Sequence, residues 1–217
     1  MLTQDLGRQI ISQEKVPFGS LGCPTETLEF TSPDGKMKAT CRIWENYLTH
    51  EESSMLMQEV EKLDKEKVLK PDVVKGTETR RRTVAFSNPG YSYSYHGGNH
   101  QGRPLPSWLC PIQTRLETDL KQPFELSLAT LYPDGNTSLG AHADDEDEIV
   151  RDSIIACLSV GESRNLEFFI NRDRVGMRKL PNGSLYTMEG KFQSFLRHAV
   201  PQMGAKVGPR TSLHGDT

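Results

Sequence analysis

The stretch Leu131-Tyr-Pro-Asp-Gly-Asn-Thr-Ser-Leu-Gly-Ala-His-Ala-Asp-Asp-Glu-Asp-Glu-Ile149 decides how the rest of the chain is read. Pro133, Asp134 and Gly135 signal a turn: proline presets φ, the aspartate can bond back to nearby backbone, and glycine tolerates positive φ. A segment of small residues follows, ending in His142-Ala143-Asp144. In extended backbone alternate side chains share a face, so this imidazole and this carboxylate point the same way. Such a pair, joined by a second imidazole from a distant strand, makes the 2-His-1-carboxylate site that holds non-haem Fe(II) with coordination positions left open. With six histidines in the chain, a His-x-Asp arises by chance about a third of the time. The second histidine therefore carries the weight.

Downstream the pattern is short apolar runs separated by turns: Phe124 to Leu131, Ser153 to Val160, Asn165 to Ile170, Val175 to Leu180, Ser184 to Glu189, Phe195 to Val200 and Val207 to Leu213. Asn171 to Arg174 and Pro181-Asn182-Gly183 are hairpin turns. Runs of this length and spacing predict a β-sandwich or barrel. The missing histidine should lie on one of its later strands. His50 stands at a helix start, His96 and His100 lie in a Gly-rich loop, and His214 is close to the last residue. His198, within Phe195-Leu-Arg-His-Ala-Val-Pro201, has the right setting, with a satisfied core histidine as the competing reading.

Upstream, Met1 to Lys38 mixes Gly, Pro, Ser and Thr, and reads as an extended, partly disordered arm with Leu28 and Phe30 as anchors. Ala39 to Tyr47 alternates as a strand, and Thr49 with Glu52 forms a capping box for a helix from His50 to about Leu63. Pro106 to Leu120 reads as a second helix with Trp108, Ile112 and Leu116 inward. Between the helices, Glu78 to Phe86 is β-leaning and ends at the turn Ser87-Asn-Pro-Gly90. The alternation Tyr91-Ser-Tyr-Ser-Tyr95 puts three rings on one side of extended chain. Rings beside Arg80-Arg81-Arg82 suit a nucleic-acid groove, because rings stack on bases and guanidinium groups hold phosphates. A half-buried hairpin with a solvated arginine edge fits the same residues. The whole reads as one α+β domain over 39–217, with its β core at 124–217.

Composition narrows the function classes. The chain has 217 residues, 35% hydrophobic and 25% charged, with a net charge of −3. No run approaches the roughly eighteen apolar residues of a membrane span, which argues against membrane association. Cys23, Cys41, Cys110 and Cys157 are widely spaced and read as free thiols of an intracellular protein, nuclear or cytoplasmic. A slightly acidic molecule meets a polyanion only through a local patch. The opposing acidic run is Asp144 to Glu148.

Five ordered segments together resemble the AlkB-type Fe(II)/2-oxoglutarate dioxygenases: Leu131 to Glu146, Ser153 to Gly161, Gly183 to Gly190 with Gln193, His198 to Pro201, and Gly208 to Leu213. The resemblance implies a double-stranded β-helix (jelly-roll) core with N-terminal helices packed on one sheet and a nucleotide-recognition lid at about 78–100. It implies Fe(II) on His142, Asp144 and His198, and 2-oxoglutarate on Tyr132 and Arg210, with Thr130 and Ser212 beside it. It further implies that Glu146 meets the exocyclic amine of a target base, and that Arg81, Arg82, Phe86, Tyr93 and Tyr95 belong to the lid. The activity implied is O2-dependent demethylation of N-alkylated bases, such as 1-methyladenine and 3-methylcytosine, in DNA or RNA by a monomer. It is coupled to decarboxylation of 2-oxoglutarate to succinate and to release of formaldehyde. The family's last strand reads Arg-x-Asn-x-Thr-x-Arg, whereas here it is Arg210-Thr-Ser212-Leu-His214-Gly-Asp216. An acid where a second arginine is expected should repel the co-substrate unless the tail turns away, and Gly215 suggests fraying. A catalytically weak nucleic-acid-binding protein on the same scaffold is the alternative. A dioxygenase acting on protein or a small molecule is a third reading.

Overall fold

The computed structural model describes residues 21–74, 76–87, 92–95, 98–146, 149–204 and 206–216, with 92–95 and 98–101 as backbone only. In chain order come β1 (Glu26–Thr31), β2 (Lys38–Trp44), α1 (His50–Lys65), β3 (Lys70–Val74), β4 (Thr77–Ser87), β5 (Ser92–Tyr95), β6 (Gly98–Gln101) and α2 (Cys110–Leu120). Then follow β7 (Leu126–Tyr132), β8 (Leu139–His142), β9 (Ile155–Gly161), β10 (Arg164–Ile170), β11 (Asp173–Leu180), β12 (Ser184–Gly190), the one-turn α3 (Phe192–Phe195), β13 (Leu196–Val200) and β14 (Arg210–Asp216). Eight strands make a large sheet in the order β1-β2-β12-β9-β14-β7-β4-β3, and four make a small one in the order β11-β10-β13-β8. Pairing is antiparallel in both, and spatial neighbours such as β2 and β12 are remote in sequence. This is a jelly-roll arrangement.

Strand alternation gives the large sheet two different faces. On β9, Ile155 and Cys157 turn inward to Leu166 and Phe168 of the small sheet. Ala156, Leu158 and Val160 turn outward to Leu56 and Val60 of α1 and to Ile112 and Leu116 of α2. The helices thus seal the outer face, each buried Leu or Val contributing about 1.5–3 kcal/mol, and leave the inner face for the second sheet. The start of α1 is fixed as its sequence predicts: Glu52 N donates to Thr49 Oγ1 (3.1 Å) and Thr49 N to Glu52 Oε2 (2.9 Å). Arg115 of α2 donates two bonds to the same Glu52 carboxylate, tying helix to helix.

Three segments differ from the sequence reading. The arm expected over 1–38 contains strand β1, because Leu28 and Phe30 alternate with polar residues and pack on the inner core, the Phe30 ring 5.3 Å from that of Phe168. Residues 1–20 lie outside the described residues. Periodicity does not reveal β3, which holds Pro71 and forms the edge of the large sheet, where a residue without an N–H is tolerated. The expected fraying at the C-terminal end is corrected. β14 stays paired with β7 through Asp216 and with β9 as far as Gly215, and Glu125 N donates to Asp216 O at 2.9 Å. Glycine suits position 215 because Phe124 lies across it, 3.1 Å from where a Cβ would stand. Among the described residues, no helix is long and apolar enough to cross a membrane.

Candidate active site

At one end of the space between the sheets the apolar core gives way to a cavity walled by inward residues of β7, β8, β13 and β14. His142 ends β8 and is the register partner of His198 on β13, which brings their rings to 4.2 Å between centroids. Asp144, two residues past His142, is buried with Oδ1 3.2 Å from His142 Nε2 and Oδ2 3.5 Å from His198 Nε2. One ligand atom from each of the three lies within 4.8 Å of the others. Ligands at right angles around an ion at about 2.1 Å stand roughly 3 Å apart, so little movement would close this set on a metal. Gly140 O lies 3.0 Å from His142 Nδ1, which commits that nitrogen's hydrogen and aims Nε2 toward Asp144. Gln193 Oε1 accepts from Asp144 N at 3.0 Å and holds the backbone of the carboxylate ligand.

The charges suit a cation. Burial alone would push Asp144 up, but His198, His214 and His142 overrule it and hold it well below the usual carboxylate range. Burial, with His142 beside it, lowers His198 to about 3 despite Asp144, so its imidazole is the neutral form that ligates. His142 is pulled down by burial, yet its contacts with Asp144 and with the Gly140 carbonyl carry it above its ordinary value.

Away from this cluster, Tyr132, Thr130 and Leu128 of β7 stand across from Arg210, Ser212 and His214 of β14. Arg210 is 1% exposed, donates Nε to Ser159 Oγ at 3.1 Å, and has no partner for either terminal nitrogen. Its guanidinium carbon sits 5.0 Å from the Tyr132 ring centre. Arg164, fully buried, sits 5.6 Å from that ring and bonds only to the carbonyls of Asp134, Thr137 and Pro201. Burial and then Arg210 push its pKa down. Arg210 lines the cavity with both terminal nitrogens without a hydrogen-bond partner, and a buried cation so placed calls for an anionic ligand.

Comparison with known proteins agrees with this geometry. The family model for the 2OG-Fe(II) oxygenase superfamily matches residues 40–215. The chain belongs to this superfamily. Within the superfamily its sequence likeness lies with AlkB homologues. It is 28% identical over 143 residues to DNA oxidative demethylase ALKBH2 of Homo sapiens, covering 61% of this chain and 54% of that protein. It is 30% identical over 149 residues to alpha-ketoglutarate-dependent dioxygenase alkB homolog 3 of Homo sapiens, covering 61% and 50%. The chain thus spans about half the length of the curated relatives it matches. The solved structure of OsALKBH1 shares the fold, with a TM-score of 0.59 at 13% identity over 82% of this chain and 97% of that one.

A 2OG-Fe(II) oxygenase uses Fe(II), 2-oxoglutarate and O2, and the residues present fit the first two. His142, Asp144 and His198 offer the facial donor set, with Asp144 Oδ2 buried and without a hydrogen-bond partner. Arg210 offers two parallel donors to a carboxylate. The departure at the last strand is also accounted for. His214, whose pKa burial would lower, is raised well above its ordinary value by Asp216, with Nε2 3.0 Å from Asp216 Oδ1. The acid therefore enters the cavity already facing an imidazole. The sequence reading missed His214 and Arg164. Parity was the available signal for His214, since it shares the face of Arg210 and Ser212; a single arginine after a β-turn gave none for Arg164.

The expected substrate residues scatter. Arg81 is 2% exposed, bonded to Asp72 (2.6 Å) and to Ser138 O (2.8 Å). Arg82 points to the other face of β4 and pairs with Asp64 of α1 at 2.6 Å. Phe86 is buried edge-on against Trp108, with 6.0 Å between centroids. These three residues, expected in a lid, lie on β4, where Arg81 and Arg82 are engaged in ion pairs and Phe86 in packing. Tyr93 and Tyr95 lie on β5, but their side chains, like Tyr91, lie outside the described residues. Glu146 lines a second cleft of about 520 Å³ that also borders Asp144, Gln193 and Phe192.

Proposed function

We propose that this chain is an Fe(II)/2-oxoglutarate-dependent dioxygenase that demethylates N-alkylated bases, such as 1-methyladenine and 3-methylcytosine, in DNA or RNA. The observation that carries the reading is one cluster, His142, Asp144 and His198, bordered by an arginine-ended cavity on one side and by the Glu146 cleft on the other. The likeness to a DNA oxidative demethylase and to an alpha-ketoglutarate-dependent dioxygenase supports the same chemistry.

When bound, the metal and co-substrate supply an O2-dependent oxidation: 2-oxoglutarate is decarboxylated to succinate while the N-methyl carbon is hydroxylated, and the product releases formaldehyde. The chain's own residues do the rest. Arg210 and Tyr132 hold the distal carboxylate, and Ser159 keeps the guanidinium turned toward the cavity. Gln193 fixes the backbone between the metal ligand and the Glu146 cleft. That cleft has the volume of an ordinary small-ligand site, enough for one nucleobase out of the stack. A methyl on the Watson-Crick edge already blocks pairing, which makes flipping cheaper. Glu146 accepts from the exocyclic amine of the extruded base.

The test is aerobic incubation with Fe(II), 2-oxoglutarate and oligonucleotides carrying 1-methyladenine or 3-methylcytosine, single- and double-stranded, measuring succinate and formaldehyde. Formaldehyde should form and be lost with His142→Ala or Asp144→Ala. Bound methylated oligonucleotide without turnover of any substrate would instead make this a binding protein on an oxygenase scaffold.

A further inference from the structure

β8, the strand that carries His142, is weakly anchored by packing. It is four residues long and forms an edge of the small sheet. Its ladder with β13 pairs His142 with His198 and Leu139 with Val200, with an irregularity between the two pairs. Gly140 and Ala141 are exposed, and none of the four side chains belongs to the apolar core. A slip of one residue would turn a neighbouring alanine inward in place of His142. Something other than packing has to set the register.

We propose that Arg164 is a positioning residue for the metal centre, a clamp that fixes the strand of His142 against the strand of His198. This rests on the reading of His142, Asp144 and His198 as the metal ligands. Arg164 opens β10, which lies beside β13 and is separated by it from β8. Its guanidinium reaches past β13. Nη2 donates to Pro201 O, just after β13, at 2.7 Å and to Thr137 O, two residues before β8, at 2.6 Å. Nη1 donates to Asp134 O, in the same lead-in loop, at 3.2 Å. One nitrogen therefore joins the exit of one ligand strand to the entry of the other, closing the ladder just beyond its last pair, Leu139 with Val200. The side chain is fully buried, and these bonds go to backbone oxygens. A buried guanidinium used this way adds little net stability; what its rigid planar fork supplies is a fixed spacing between carbonyls. Arg81 holds the adjacent Ser138 O from β4, and Gly135 N bonds to Val207 O, so the loop stays attached when Arg164 is changed and the loss is local.

Two readouts test this without turnover. In the metal-free wild-type chain, hydrogen exchange should show the hydrogen-bonded amides of β8 protected. In Arg164→Gln, too short to span both carbonyls, that protection should fall while β9 and β12 keep theirs. Titration with Co(II), followed by its visible absorption, should show binding about 10- to 100-fold weaker in Arg164→Gln, the range for residues that orient metal ligands. Arg164→Lys, with three donors on a stem of similar length, should recover most of that loss. Leu56→Ala, which opens the helix-side core away from β8 and β13, should lower the melting temperature and leave Co(II) affinity unchanged. Wild-type Co(II) affinity in Arg164→Gln, or an equal loss in Leu56→Ala, overturns the proposal. So does fast exchange of β8 in the metal-free wild type, a result that counts even where Arg164→Gln does not fold. Failure of the wild-type chain to bind Co(II) removes the metal-site reading and the proposal with it.

Discussion

The arginines of β4 and the arginines beside Tyr132 carry the same charge in opposite surroundings. Arg80 faces Asp134, Arg81 faces Asp72 and Arg82 faces Asp64, each within ion-pair contact. Arg164 and Arg210 are buried, both lie over the Tyr132 ring, and have carbonyls, a serine or nothing as hydrogen-bond partners. A charge met by a carboxylate has finished its work in folding. A charge buried without one is a cost of several kcal/mol unless something from outside completes it. Basic density along the chain therefore pointed toward β4, and unmet charge points to the cavity.

This contrast can be broken by experiment, and the largest effect should come from Asp72→Ala. It strands Arg81 and Thr83, both bonded to Asp72 inside the core, and should cost about 3–5 kcal/mol of stability, read from chemical denaturation. The folded fraction should keep its co-substrate affinity. Arg210→Ala should do the reverse: 2-oxoglutarate affinity falls by an amount equivalent to about 2–5 kcal/mol, while the melting temperature holds or rises because an unmatched buried cation is gone. If Arg210→Ala destabilises like Asp72→Ala, the distinction fails.

A third effect concerns the metal end in the metal-free protein. His198 is depressed from its ordinary 6.5 to about 3 by burial and by His142. Between those values the unfolded chain binds the proton and the folded chain does not, so this residue's contribution is full above about 6.5 and declines as pH falls toward 3. His142 and His214, both raised, act in the opposite sense. Melting temperatures at pH 7 and pH 5 should therefore differ less in the favourable-at-pH-7 direction for His198→Asn than for wild type. The smallest effect belongs to Arg80→Ala, whose exposed pair with Asp134 should change stability by no more than about 1 kcal/mol. A drop in oligonucleotide affinity with this variant would return β4 to the substrate side.

What the sequence discloses and what it conceals divide along the range of the interaction. The capping box at Thr49, the strand alternation of 155–161 and the His142-Ala143-Asp144 pair are local, and a few neighbouring residues suffice to read them. The partners of Arg81 and Arg82 are not local in that sense. Asp72 and Asp64 reach them only through the register of β3 with β4 and the seating of α1 on the sheet. Arg164 is likewise understood only once Asp134, Thr137 and Pro201 converge on it. His214 is the intermediate case: its parity is printed in the chain, but a residue near the last position is easily read as a loose tail. The long-range pairing with β7 and β9 is what makes that parity count.

Because β14 is flanked on both sides, its backbone behaves as a fixed rack in which each inward slot can be refilled without disturbing the next. Exchanging the occupant of slot 212, 214 or 216 rewrites the end group that a ligand meets and leaves the spacing alone, which gives evolution or a designer a separate setting at every second residue. Inserting or deleting one residue does the opposite. It would turn Thr211, Leu213 and Gly215 toward the cavity and bury Arg210 against the helices, erasing the whole wall in one step.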